Sequence, residues 1–216
     1  MTTVLPLDNL SQSRLAVARD VKGFMPADEG DTLLRVGLVA GELGPLLEVG
    51  SYCGKSAVYL GSAAEKRATV LFTVDHHRGS EENQAGWEWH DPEVVDPESG
   101  LMDTLPFLRS TLWRAGLEDN VIPIVGKSAA VARWWTTPLA LLFIDGGHAL
   151  DVAQNDYDAW SPHVVRGGFM AFHDVFEDPA DGGQAPFQVW SAALAAGEWR
   201  EVRPWRCGSL RIAQRQ

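Results

Sequence analysis

Two short segments hold the residues best suited to chemistry: Ile144-Asp145-Gly146-Gly147-His148 and Phe172-His173-Asp174. Each closes an apolar run, Leu139 to Asp145 and Gly168 to Asp174, that reads as a buried parallel strand. Neighbouring parallel strands lie about 4.8 Å apart, so Asp145 and Asp174 can face one ligand. Two carboxylates, with waters and a substrate oxygen, would make the oxygen-rich octahedral shell that magnesium prefers. His173 offers a third ligand, and its nitrogen tilts the preference toward manganese, iron or zinc. His148 stands at the turn into a helix, where a neutral imidazole could take a proton from a metal-bound hydroxyl as general base. The plainer alternative is that both aspartates only cap the helices that follow them.

A second constellation is Glu48-Val49-Gly50-Ser51-Tyr52-Cys53-Gly54, with Asp75 one strand-helix-strand unit further on. A glycine after a first strand lets the backbone pass close to a ligand. An acidic residue ending the second strand can accept hydrogen bonds from both ribose hydroxyls. With Glu48 beside them, Gly50, Ser51, Gly54 and Asp75 favour an adenosine-containing ligand. The rival reading is a phosphate loop, because Gly50 to Ser56 looks like GxxxxGK[ST]. That loop needs four residues between its glycines and this chain has three, so its donors could not wrap a phosphate in the usual way.

The elements that must hold these residues alternate between strand and helix, the pattern of a parallel α/β sheet. Strands are expected at Pro45–Gly50, Ala68–Asp75, Val121–Gly126, Leu139–Asp145 and Gly168–Asp174, with a helix over Lys55–Glu65. Trp199–Trp205 and Ser209–Gln214 read as two antiparallel strands. The first forty residues read as helical with a break around Gly23 to Gly30, a cap over one sheet edge or over the mouth of the site. His76 to Asp103 has neither helical nor strand period. It carries Glu81, Glu82, Glu88, Asp91, Glu93, Asp96, Glu98 and Asp103 with Trp87, Trp89 and His90. A loop this long is a lid or a solvated stretch, and the tryptophans are flat platforms suited to sugars.

At 216 residues the chain fits one domain, residues 1–216. No apolar run approaches the roughly 20 residues a membrane span needs. Met1 to Pro6 lacks a charged leader and apolar stretch, so a cytoplasmic protein is expected. A net charge of -11 repels phosphate backbones, so nucleic acid is not an expected partner despite Arg200, Arg203, Arg206, Arg211 and Arg215 near the C-terminus. Cys53 and Cys207, far apart and without a CxxC neighbour, suggest neither disulfide nor zinc site.

At Leu47-Glu48-Val49-Gly50-Ser51, Ile144 to His148 and Phe172 to Asp174 the sequence resembles the class I S-adenosylmethionine (SAM)-dependent O-methyltransferases of the macrocin and cephalosporin-gene-cluster type. The similarity covers roughly Pro45 to Phe176. It implies an α/β, doubly wound, Rossmann-like seven-stranded sheet with strand seven antiparallel and helices on both faces. It also implies SAM as cofactor, a divalent metal, usually magnesium, on Asp145 and Asp174, and His148 as base. In the macrolide sugar enzymes the residue before the second aspartate is acidic, where this chain has His173. Gly126-Lys127-Ser128 aligns with an adenine-contacting turn in which an acidic residue is frequent. Ser128 is carried over there, whereas Lys127 departs from the pattern. Within the family the chain looks most like the mannoside 1-O-methyltransferases of methylmannose polysaccharide assembly.

The resulting expectation is methyl transfer from SAM to a hydroxyl of a sugar or oligosaccharide. A catechol or other phenol is the alternative acceptor, and a non-catalytic SAM-binding protein the alternative from another class. A small molecule is the expected partner. Relatives are often homo-oligomers, so a homodimer is an open expectation.

Overall fold

The computed structural model describes residues 9–87 and 89–216. Residues 1–8, read above for a leader, and Glu88 lie outside the described residues.

Helices α1 (Gln12–Asp20) and α2 (Ala27–Ala40) precede strand β1 (Leu46–Val49), helix α3 (Lys55–Lys66) and strand β2 (Leu71–Asp75). After the long loop come α4 (Leu105–Ala115), β3 (Val121–Val125), α5 (Ser128–Ala132), β4 (Leu139–Ile144) and α6 (Leu150–Trp160). The chain ends with β5 (Val164–Phe172), α7 (Ala185–Ala195), β6 (Trp199–Glu201) and β7 (Arg211–Arg215). The seven strands form one sheet in the order β3-β2-β1-β4-β5-β7-β6. Strand β7 runs antiparallel to both neighbours, and the pairs from β3 across to β5 are parallel. This is the parallel α/β sheet expected from the alternating pattern, in the doubly wound Rossmann-like form that the resemblance implies.

Alternation along each strand divides the apolar residues between two cores. Leu46, Leu141, Phe143, Phe169 and Ala171 join one core with residues of α1, α2, α3 and α4. Leu47, Leu142, Ile144, Met170 and Phe172 join the other with residues of α6 and α7. Strands buried on both faces need near-continuous apolar sequence, which is why β1 and β4 are legible as runs. The same parity places Glu48, Thr73 and His173 on the α2–α3 side of the sheet, a consequence used below.

Several boundaries differ from those expected. Strand β5 begins at Val164 rather than Gly168, its early part interrupted by Gly167, which has φ +80. Strand β6 stops at Glu201, because Pro204 has no N–H for the ladder and the chain turns through a 3₁₀ helix at Arg203–Trp205. The N-terminal helices cover a sheet face rather than an edge: α2 packs on α3 and on β4 and β5, and α1 on α3 and α4. The loop from 76 to 103 contains two 3₁₀ turns, Glu81–Asn83 and Pro92–Val94. Its Val94 and Met102 are buried against Cys53. Burial pushes the Cys53 thiol up to about 12, so it stays protonated and packs as an apolar group. Among the described residues no helix is long and apolar enough to cross a membrane.

Candidate active site

Loops after β1, β2, β4 and β5 meet at the carboxyl ends of the strands, where open α/β sheets hold their ligands. Gly50 has φ +88, and a Cβ there would overlap the carbonyl oxygen of Asp145. The glycine is therefore required first by the close crossing of the β1 and β4 exits. It locks the cofactor-type loop to the aspartate loop, a role the sequence reading assigned to ligand contact alone. Gly54 has φ +92 and leads into α3, packed under Leu108.

Asp75 organises the loop. Its Oδ2 accepts from the backbone N–H of Ser51 and of Tyr52, each at 3.0 Å, and its Oδ1 accepts from His77 N–H at 2.7 Å. The Ser51 hydroxyl adds a longer contact to Oδ2 at 3.5 Å, and a carboxylate has about four acceptor positions, so a ribose hydroxyl would take the open position on Oδ1. Engaging both hydroxyls, as expected from its place on the strand, would require one loop N–H to yield. Glu48 departs further from expectation: it is 0% exposed, opposite Thr73 in the β1–β2 ladder, and cannot touch a ligand from there. Its oxygens make no close hydrogen bond, although the hydroxyls of Thr73 and Ser56 face it. Burial pushes its carboxyl up to about 8. Ser128 begins α5 and its hydroxyl accepts from Trp160 Nε1 at 2.7 Å, at the far side of the same strand ends. Lys55 donates to the Gly23 carbonyl at 3.1 Å, away from any phosphate-loop position.

The aspartates converge as the strand register requires. Ile144 pairs with Phe172, so the next residues, Asp145 and His173, stand side by side. His173 Nδ1 lies 3.0 Å from Asp145 Oδ1 and 3.3 Å from Asp174 Oδ2. Its Nε2 donates at 2.6 Å to Glu29, a buried residue of α2. Burial opposes a charge on this ring, but the Asp145 charge and the hydrogen bonds to Asp145, Asp174 and Glu29 hold its pKa well above the ordinary value. With Nε2 turned to Glu29 and Nδ1 to the two aspartates, His173 is buried behind them, away from the open side of the site. The donor atoms that gather are those of Asp145, His148 and Asp174, all within 4.8 Å of one another.

His148 spans two carboxylates. Nε2 lies 2.9 Å from Asp174 Oδ2 and Nδ1 lies 2.6 Å from Glu82 Oε1, in the long loop. The hydrogen bond to Asp174 is the main cause that raises its pKa to about 9. Asp174, despite burial, is held well below the usual carboxylate range by hydrogen bonds from His148 and His173. Its backbone is left-handed, φ +54, which a non-glycine residue holds only where its surroundings fix it. Four carboxylates thus surround two imidazoles, leaving an excess of negative charge even with both rings protonated. That excess, with oxygen donors predominating, fits a divalent cation.

Sequence reasoning missed Glu29 and did not single out Glu82 among the acids of its loop. Nothing in the sequence marks which residue of α2 meets His173.

Comparison with known proteins places this geometry in a family. Residues 47–175 match the model of a methyltransferase domain, and the chain belongs to that family. The phosphate-loop alternative falls with this match. Solved structures share the fold at low identity. An O-methyltransferase from Bacillus cereus in complex with SAH is 15% identical, with a TM-score of 0.63 over 97% of this chain and 93% of that one. An O-methyltransferase of tomaymycin synthesis from Streptomyces achromogenes, in complex with SAM, is 15% identical, with a TM-score of 0.61 over 97% and 92%. A TDP-rhamnose 3′-O-methyltransferase of calicheamicin biosynthesis is 13% identical, with a TM-score of 0.58 over 96% of each chain.

Proposed function

We propose that this methyltransferase moves the methyl group of SAM to a hydroxyl of a sugar or saccharide, assisted by a divalent cation, magnesium in the first instance, and by His148 as general base. The observation that carries the reading is the convergence of Asp145, His148 and Asp174 within 4.8 Å, beside a glycine loop locked to the same strand exit. The SAM- and SAH-bound relatives of the same fold support the cofactor. The TDP-rhamnose enzyme supports a sugar acceptor. So do the exposed rings of Trp87 and Trp89, in the loop that reaches His148 through Glu82.

Asp75 and the Ser51–Gly54 turn would hold the adenosine end, with Ser128 on the adenine side and Glu48 acting from beneath the loop through Ser56 and Thr73. SAM supplies a methyl carbon already activated by its sulfonium. A divalent cation held by Asp145 and Asp174 would supply Lewis acidity that lowers the pKa of the acceptor hydroxyl. The chain's own task is then orientation and removal of one proton. His148 cannot accept that proton while Asp174 and Glu82 hold both of its N–H groups. Nε2 can take the acceptor proton only once its own has left to solvent, which needs release by Asp174, a residue that would also hold the cation. Glu82 keeps the proton on Nδ1, so that Nε2 is the basic nitrogen. Cation and base are therefore two aspects of one arrangement.

Titration calorimetry with SAM and with ATP, each with and without magnesium, tests the cofactor. SAM binding without ATP binding is expected, and the reverse would overturn the reading. Turnover on neutral sugars against catechols then tests the acceptor, and methylation of catechols alone would replace the sugar by a phenol.

A further inference from the structure

Glu29 lies more than a hundred residues before Asp145 in sequence, yet the fold builds a chain of contacts from one to the other. It sits in the first turn of α2 and is 3% exposed. Oε2 accepts from His173 Nε2 at 2.6 Å, and Oε1 accepts from the backbone N–H of Ser209 at 2.6 Å. The Ser209 hydroxyl lies 3.2 Å from Oε1 and 3.4 Å from Oε2. Gly208 has φ +47, and a Cβ there would overlap Glu29 Oε1. The turn before β7 is thus shaped around this carboxylate. On the other side of the ring, His173 Nδ1 faces Asp145 Oδ1 at 3.0 Å and Asp174 Oδ2 at 3.3 Å.

A buried imidazole with one nitrogen tied to a fixed acceptor has little rotational freedom left, so the direction of its other nitrogen is set as well. Glu29 fixes Nε2, and Nδ1 is thereby aimed at the one point where oxygens of both aspartates meet. Apolar residues on the α2 face would close this core without burying any charge. The row of ionisable groups instead runs from the sheet interior to the open strand ends. Asp174, with its left-handed backbone, is one of the two residues that the row terminates on.

We propose that Glu29 is a positioning residue for the cation site. Through His173 it holds the carboxylates of Asp145 and Asp174 at the spacing and orientation in which they bind a divalent cation. The inference rests on the reading of those aspartates as cation ligands, and its consequence falls on cation affinity rather than on SAM.

The test is titration of the full chain with Mn2+, followed by electron paramagnetic resonance, for wild type, Glu29→Gln, Glu29→Asp and Ser209→Ala. SAM affinity and melting temperature are measured on the same samples. Glu29→Gln is expected to weaken Mn2+ binding by about 10–100-fold, the range for loss of an outer-shell partner, with SAM affinity unchanged. Glu29→Asp keeps the charge but falls one methylene short of Nε2. Ser209→Ala loosens Glu29 from behind without removing a charge. Both are expected to weaken Mn2+ binding by less, and they serve if Glu29→Gln does not fold. Wild-type Mn2+ affinity in the folded variants would overturn the positioning role and leave the cation reading standing. A parallel fall in Mn2+ affinity, SAM affinity and melting temperature would make Glu29 merely structural. A wild-type protein that binds no Mn2+ would overturn the cation reading itself, and this inference with it.

Discussion

His148 Nδ1 and Glu82 Oε1 stand 2.6 Å apart, joining a histidine at the exit of β4 to a carboxylate 66 residues earlier in the chain. Glu82 is itself placed by its loop: its carbonyl accepts from Trp89 N–H at 3.2 Å, and Ser80 Oγ lies 3.2 Å from its carboxylate. A carboxylate on one ring nitrogen selects the tautomer whose other nitrogen can act as a base. In the proposed mechanism the loop would therefore take part in proton transfer through Glu82.

Glu82→Gln should accordingly reduce kcat by about 10–100-fold, in line with loss of an orienting partner of a catalytic group. KM for SAM should remain near the wild-type value, since Glu82 touches none of the residues assigned to the cofactor. Steady-state kinetics with SAM varied at saturating acceptor checks both. A wild-type kcat would show that His148 needs no partner on Nδ1, or that the base lies elsewhere.

Asp145→Asn and Asp174→Asn should each remove almost all turnover while retaining most of the SAM affinity. EDTA should silence the wild-type protein in the same way, and added magnesium should restore it. The two variants are not equivalent in stability. Asp174 accepts from both His148 and His173, whereas Asp145 meets His173 alone, so Asp174→Asn should lower the melting temperature more. Turnover that survives both EDTA and either substitution would remove the cation from the mechanism.

How legible these residues were in sequence depended on what positions them. Asp145 and Asp174 end apolar runs buried on both sheet faces, so their strands and their meeting point followed from composition and register. The loop after β1 was legible as a turn, but Gly50 is required there by the Asp145 carbonyl, and Glu48 is buried beneath it. Glu29 was not legible. It begins an amphipathic helix whose acidic first turn also contains Asp28, and that pattern equally suits a helix dipole. Glu82 was hidden among the acids of an aperiodic loop, where spacing carries no information about which side chain turns inward. The inward turn of His173 was not legible either: it shares its parity with Asp145, and only the buried Glu29 on its Nε2 sets the ring's direction.

The long loop is tied to the N-terminal segment by Lys22, which contacts Asp91 at 2.5 Å and Glu93 at 2.6 Å. Phe24 packs edge-on against Trp89 with ring centroids 5.4 Å apart. Lys22 and Asp91 are half-buried and Glu93 is exposed, all within reach of solvent, so Lys22→Ala should cost about 1 kcal/mol of global stability or less. Its effect should be local. Limited proteolysis within residues 76–103 should become several-fold faster, and more so at low salt, where the wild-type pair is strongest. Equal cleavage rates for variant and wild type would mean that the aromatic contacts hold the loop unaided.

Glu48 gives the clearest dependence of stability on pH. Its ordinary value of 4.5 is raised to about 8, chiefly by burial. Below pH 4.5 the carboxyl is protonated in the folded and unfolded chains alike, and it costs nothing. As the pH rises toward 8 the unfolded chain releases this proton while the folded one keeps it, so stability falls with rising pH. Above 8 both forms are ionised and the loss is constant. The shift corresponds to about 5 kcal/mol at most, at 1.36 kcal/mol per pKa unit. Glu48→Gln retains the shape without the ionisation. Melts of the two proteins should therefore differ least near pH 4.5, with the variant gaining on wild type up to pH 8. A difference that stays constant across that window would mean that Glu48 is ionised in the folded protein. In that case its charge would already be balanced by the Ser56 and Thr73 hydroxyls and by the N-terminus of α3, and burial would not decide its state.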